Sequence, residues 1–231
     1  MPRALGRAIR LTLVVWALGS RPDPLSGQVV PPADTGTPAP LVADSIAKRL
    51  LVDVRGVDST ILIDARYAGT GNFTGAVLPG YHASKALLRK EAARALARVQ
   101  HRLASEGLGL KVFDGYRPVR ATQAMAAWAR RTGQAQLLRE GYIALHSKHN
   151  LGIAVDLTLV NRVTGLELDM GTPFDTFSEA AHTANAEGRA RVYRMMLVKA
   201  MEAEGFKNYE REWWHFAFPI AEPVAFDLPI Q

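Results

Sequence analysis

Apolar and polar positions follow two rhythms along this chain, and the rhythms divide it into elements. Thr60-Ile-Leu-Ile-Asp64 is a short apolar, β-branched run that reads as a strand. Between Ser84 and residue 105, Leu88, Ala92, Ala95, Val99 and Leu103 recur at spacings of three and four. That period predicts a helix with Ser84 as its N-cap and Gly107 and Gly109 as its stop. Leu110-Lys-Val-Phe-Asp114 follows as a strand. Pro118 fits the first turn of a second helix that runs to about Arg131 and closes at Gly133. Ile153-Ala-Val-Asp-Leu-Thr-Leu159 and Trp213 to Phe218 are further β-rich runs. A last helix is expected over 188–204, with Val192, Met196, Ala200 and Ala203 on one side and Gly205 beyond its end. Strands and helices mix without strict βαβ alternation, so the expected fold is α+β, a mainly antiparallel sheet packed by helices.

The first 45 residues fall outside these rhythms. Arg3, Arg7 and Arg10 precede a short apolar run, Leu11 to Leu18, and then Gly19 and Ser20. This is the order of a secretory signal peptide, expected over residues 1–20, and the run is too short to span a bilayer as a mature helix. The expectation is an exported protein, periplasmic or extracellular, with no stable membrane insertion once the leader is removed. Pro22, Pro24, Pro31, Pro32, Pro38 and Pro40, set among Gly, Ser, Thr and Asp, make 21–45 a proline-rich disordered linker. One folded domain is expected over 46–231.

Composition changes the picture in two places. The net charge is +6, but the first 28 residues hold four arginines against Asp23 alone, so half of it belongs to the leader. The basic balance is therefore no nucleic-acid signature. The chain has no cysteine, which excludes a disulfide framework, a thiol nucleophile and a thiolate metal site. A bound metal must be held by nitrogen and oxygen.

Two of the six histidines have company. His149 lies in Ser147-Lys-His149-Asn-Leu-Gly152, and Asp156 follows seven residues on, inside an apolar run. An odd separation points two side chains to opposite faces of an ideal strand, but Gly152 permits a bend that reunites them. A carboxylate in such a run needs a cation, either a metal or an arginine, unless it lies at a strand edge. Glu212-Trp-Trp-His215 is the second cluster, readable as a dry-walled site or as a core strand whose polar residues face water. Together, His149, Asp156 and His215 make a His2Asp set, the three-ligand arrangement with an open fourth position that catalytic zinc uses. Glu212 is then free to be a general base. Asp114-Gly-Tyr-Arg117-Pro118 offers a fixed cation for an oxyanion, with Asp114 orienting Arg117 through a bidentate pair, or else an ordinary surface turn.

Ser-x-His-x-x-Gly-x-Ala-x-Asp at 147–156, Glu-x-Trp-His at 212–215 and Asp-Gly-Tyr-Arg-Pro at 114–118 resemble the zinc D-alanyl-D-alanine dipeptidases of the VanX type. Tyr67 to Gly75, Met170-Gly171 with Phe174-Asp175, and the stretch around His182 to Asn185 extend the similarity over roughly residues 50–228. The resemblance implies the hedgehog/DD-peptidase fold and one zinc ion per chain, held by His149, Asp156 and His215. It implies Glu212 as the base and Arg117 as the group that stabilises the transition state. Ser147, Asp114 and Tyr67 match positions near the substrate's ends, and His182 is expected to be a hydrogen-bonded structural residue. The implied substrate is a small D-amino-acid dipeptide in cell-wall peptide turnover. A D,D- or L,D-carboxypeptidase or endopeptidase would share every catalytic residue. A non-catalytic zinc-containing binding module would have no use for Glu212 or Arg117. Lys148 departs from the small hydroxyl residue usual before the zinc histidine, and the segment between the second helix and Tyr142 is short, which loosens the dipeptide restriction.

Overall fold

The computed structural model describes residues 38–231. The leader expected over 1–20, and the linker as far as residue 37, lie outside the described residues. The elements run α1 (Asp44–Leu50), β1 (Leu51–Asp53), α2 (Val54–Val57), β2 (Leu62–Ile63), β3 (Leu87–Arg89), α3 (Lys90–Ala104), β4 (Leu108–Asp114), α4 (Val119–Arg131), α5 (Gln136–Arg139), β5 (Ala154–Asn161), α6 (Gly188–Glu202), β6 (Lys207–Tyr209) and β7 (Glu212–Ala217). A five-stranded sheet is ordered β2-β4-β5-β7-β6, and β1 and β3 form a separate two-stranded ladder. Among the strands of the described residues, only β2 and β4 pair in parallel. The fold is thus α+β with a mainly antiparallel sheet, as the mixed rhythm predicts.

β5 is buried along most of its length, and its two faces differ in chemistry. Val155, Leu157 and Leu159 pack with α3 and α6 in the larger apolar cluster. Strand alternation turns Asp156 and Thr158 to the other side. A second cluster, built on Tyr67, Tyr81, Tyr116 and the buried side of α4, forms a separate core.

Three expectations are corrected by partners distant in sequence. The helix predicted from Ser84 starts at Lys90, because Leu87–Arg89 pair antiparallel with Leu51–Asp53 and become a strand first. Residues 38–45, given to the linker by composition, hold a bridge between Leu41 and Ala225 and the opening of α1. A backbone partner near the far end of the chain orders a segment that itself adds little more than Val42 to the core. In α6 the expected apolar side is displaced: Val192 is 56% exposed, and the buried positions are Arg194, Leu197, Val198, Ala200 and Met201. An arginine occupies a core position, which apolar periodicity cannot register.

Gly152 has φ 66° and turns the chain from a 3-10 turn, Lys148–Leu151, into β5. A Cβ there would lie 2.5 Å from Leu51 Cδ2 and 3.4 Å from the Arg89 nitrogen, which belongs to the backbone. Gly152→Ala is expected to destabilise the protein by about 1–3 kcal/mol, from left-handed strain plus overpacking. Urea unfolding reads this directly, and an unchanged midpoint would mean that the turn is not constrained as described.

Candidate active site

Register across three strands assembles the site. A bulge between Val112 and Asp114 brings Asp114 opposite Asp156, and Asp156 stands opposite His215 on β7. Directly opposed residues present their side chains to the same face, so the three form one row. His149 arrives from the 3-10 turn, whose geometry is fixed locally. Ser147 Oγ accepts from the His149 N–H at 3.3 Å, and Asn150 Oδ1 accepts from the Ser147 N–H at 3.0 Å. The Asn150 amide also donates to the Arg117 carbonyl at 2.9 Å, tying this turn to the loop after β4.

His149 Nε2, His215 Nδ1 and Asp156 Oδ1 converge. The two nitrogens are 3.1 Å apart, and they lie 3.3 and 3.0 Å from the carboxylate oxygen. Tetrahedral ligands held about 2.0–2.1 Å from zinc are about 3.3–3.4 Å from one another, so this triangle has close to the size of one face of a zinc tetrahedron. His149 Nδ1 lies 2.6 Å from the Gly115 carbonyl, which can only accept. Nδ1 therefore carries the proton, and Nε2 turns its lone pair into the triangle. Burial pushes the His215 pKa down, favouring the neutral ring that can bind a metal. Burial alone would push Asp156 up, yet the adjacent His149 and His215 hold it well below the usual carboxylate range. Three buried donors aimed at one point fit a divalent cation.

Glu212 and Arg117 flank the triangle. Glu212 Oε2 lies 3.9 Å from His215 Nδ1, beside the triangle and beyond hydrogen-bond distance of that nitrogen. Burial, with the charges of Asp156 and Asp175, raises its pKa well above the usual range. Arg117 is buried rather than placed on a surface turn. Burial opposes its charge, but Asp114, Tyr67, Tyr81 and Asp156 keep its pKa well above the ordinary arginine value. Its pairing with Asp114 differs from the expected fork. Nε and Nη2 both donate to Oδ2, at 2.9 and 2.8 Å, while Oδ1 accepts from Tyr81 at 2.6 Å. Asp114, 2% exposed, is enclosed by Arg117 and Tyr81.

The D-ala-D-ala dipeptidase model of the M15 peptidases matches residues 47–227. The chain belongs to this family. It is 38% identical to the D-alanyl-D-alanine dipeptidase of Enterococcus faecalis over 175 residues, 69% of this chain and 86% of that one. It is 36% identical to the Streptomyces coelicolor enzyme of the same name over 190 residues, 74% and 94% of the two chains. Against the D-alanyl-D-alanine dipeptidase of Escherichia coli the identity is 34% over 173 residues, 74% and 86%.

In this dipeptidase-family chain the structure adds one residue that sequence reasoning gave no role. Asp175 lines the pocket, half-buried, with φ 59°. Tyr67 donates to both of its oxygens, at 3.0 and 3.1 Å. Burial first, and the nearby Asp156 second, push the Asp175 pKa up to about 8. The available signal was the Phe174-Asp175 pair within the stretches of family resemblance. Tyr67 and Ser147 line the pocket, and Lys148 lies exposed at its rim. His182 stands apart from the triangle, its Nε2 3.4 Å from the Tyr142 hydroxyl. The short segment after α4 does border the pocket, through Tyr142 and Ile143, and Tyr142 packs on Phe177 at 5.9 Å between ring centroids.

Proposed function

We propose that this chain is a zinc-dependent dipeptidase that hydrolyses D-alanyl-D-alanine and related small D-amino-acid dipeptides. The observation that carries this reading is the buried His149–Asp156–His215 triangle with a carboxylate, Glu212, left outside it. A zinc ion held by the three donors would supply Lewis-acid polarisation of the scissile carbonyl and make a water acidic near neutral pH.

The chain's own groups do the rest. Glu212, raised in pKa and set beside the triangle, takes a proton from the attacking water and delivers it to the leaving nitrogen. Arg117, held by Asp114 and against the Tyr67 ring at 4.9 Å, meets the negative charge that develops on the carbonyl oxygen. Asp175 faces the substrate's free ammonium, a cation that would favour its ionised form and so draw its raised pKa back down. Ser147 and Lys148 stand on the side of the turn that carries His149, where the other end of the dipeptide is received. The cavity over the triangle is small, about 60 Å3, which supports a short substrate.

Purified protein loaded with zinc should cleave D-Ala-D-Ala, while its N-acetyl form and a muramyl pentapeptide should be poor substrates. Preferential release of the terminal D-Ala from the pentapeptide would replace this reading with a carboxypeptidase. The arginines and apolar run before Gly19 support action outside the cytoplasm, on wall-derived peptides.

A further inference from the structure

The buried arginine of α6 has no use in the chemistry described so far. Arg194 is 1% exposed, and among the described residues no carboxylate pairs with it. Its guanidinium donates to main-chain carbonyls alone. Nε reaches the Met170 oxygen at 2.8 Å, Nη1 the His182 oxygen at 2.7 Å, and Nη1 and Nη2 share the Ala180 oxygen at 3.1 Å each. A buried cation without a counter-charge is costly, and a leucine or methionine would fill the same core position without that cost. What the apolar side chain could not do is join those carbonyls. The planar fork of arginine can, since its donors are fixed relative to one another.

The three carbonyls stand at the two ends of one segment, 170–182. Its 171–178 part contains neither helix nor strand, and one guanidinium closes its neck, which makes it a compact surface loop with tethered ends. The middle of the loop carries the groups that reach the pocket. Asp175 sits there in the left-handed region, a conformation a non-glycine residue keeps only when its surroundings impose it. Phe174 is wedged at 4.9 Å from Phe113 and 5.4 Å from Trp214, between ring centroids. The Trp213 indole donates to Thr172 Oγ1 at 2.9 Å, on the Met170 side of the loop.

We propose that Arg194 is a positioning residue for substrate recognition: by stapling the neck of the 170–182 loop, it holds Asp175 where the dipeptide's ammonium binds. This rests on the reading of Asp175 given above. Arg194 itself is absent from the pocket wall, so its effect on substrate must pass through the loop.

The test compares zinc-loaded wild type, Arg194→Met, Arg194→Lys and Asp175→Asn on D-Ala-D-Ala and N-acetyl-D-Ala-D-Ala. Zinc content and amide hydrogen exchange are measured alongside. Arg194→Met should keep its zinc and raise KM for the free dipeptide at least about tenfold, with kcat changed less than about threefold. Its preference for the free over the acetylated dipeptide should fall by a similar factor. Exchange should rise in 170–182 and stay slow in β5, and Arg194→Lys should recover part of the preference. If the methionine variant does not accumulate as folded protein, the lysine variant carries the same readouts, with smaller changes in the same direction. An unchanged free-amine preference in folded Arg194 variants, with Asp175→Asn losing it, overturns the proposal alone. So does an equal loss on both substrates with faster exchange throughout β5 and α3, which is the mark of a merely structural residue. Intact preference in Asp175→Asn removes the ammonium reading, and the proposal with it.

Discussion

Glu212→Gln is expected to bind zinc as the wild type does and to lose turnover by roughly 10²–10⁴-fold, the range that a positioned proton-transfer group supplies. The two halves of this result have separate causes. The carboxylate lies outside the metal-sized triangle, so zinc content, measured by atomic absorption, should not change. Glutamine keeps the shape and the carbonyl oxygen but cannot take the water's proton. The same substitution has an opposite effect on stability. Glu212 is pushed well above its ordinary value of 4.5 by burial and by the acids around it, so its ionised form is disfavoured in the fold. A group raised in this way contributes stability at low pH, and that contribution is lost as the pH climbs through the raised value. Metal-free Glu212→Gln should therefore unfold at a higher urea concentration than metal-free wild type at pH 8. Turnover within about tenfold of wild type would remove Glu212 as the base.

Asp156→Ala should do the converse and lose both metal and stability. Removing a group that only supports a ligand typically costs about 10–100-fold in metal affinity, so removing a ligand should cost more than about a hundredfold. The stability loss has its own origin. Asp156 is charged in the fold because His149 and His215 stand within 3.3 and 3.0 Å and Arg117 lies at 3.8 Å. Its pKa is depressed, so its contribution is present above the ordinary carboxylate range and disappears only as the pH falls well below it. At pH 7 its removal leaves the His215 ring without its acceptor and Arg117 without the second of its two carboxylates, a change worth about 1–3 kcal/mol. Calorimetry of metal-free protein isolates this loss from that of zinc binding. Full zinc stoichiometry in the variant would take Asp156 out of the ligand set.

These two outcomes also separate activity from folding within one pocket. The acids that make Glu212 a stronger base make the metal-free fold less stable, because like charges are gathered without water. A cation in the triangle would relieve both strains, so zinc should raise the unfolding midpoint of the wild type far more than that of Asp156→Ala.

The sequence by itself determined what local chemistry can determine. Residue types, spacings and the family motifs selected His149, Asp156 and His215 as candidate ligands and Glu212 as the candidate base, since donor atoms and motif order do not depend on distant packing. Helix and strand rhythms placed α4, β5 and β7 within a few residues, because burial on one face writes itself into the local period. The tertiary structure alone decided what depends on partners far along the chain. The ladder with β1 turned Leu87–Arg89 from helix into strand, and the bulge before Asp114 set the acid row in register. Asp175 entered the pocket on a loop with no periodicity to read, and Arg194 took a core position that a polarity pattern assigns to solvent. Pairing across the chain and the satisfaction of buried polar groups are properties of the whole fold, and no window of neighbouring residues contains them.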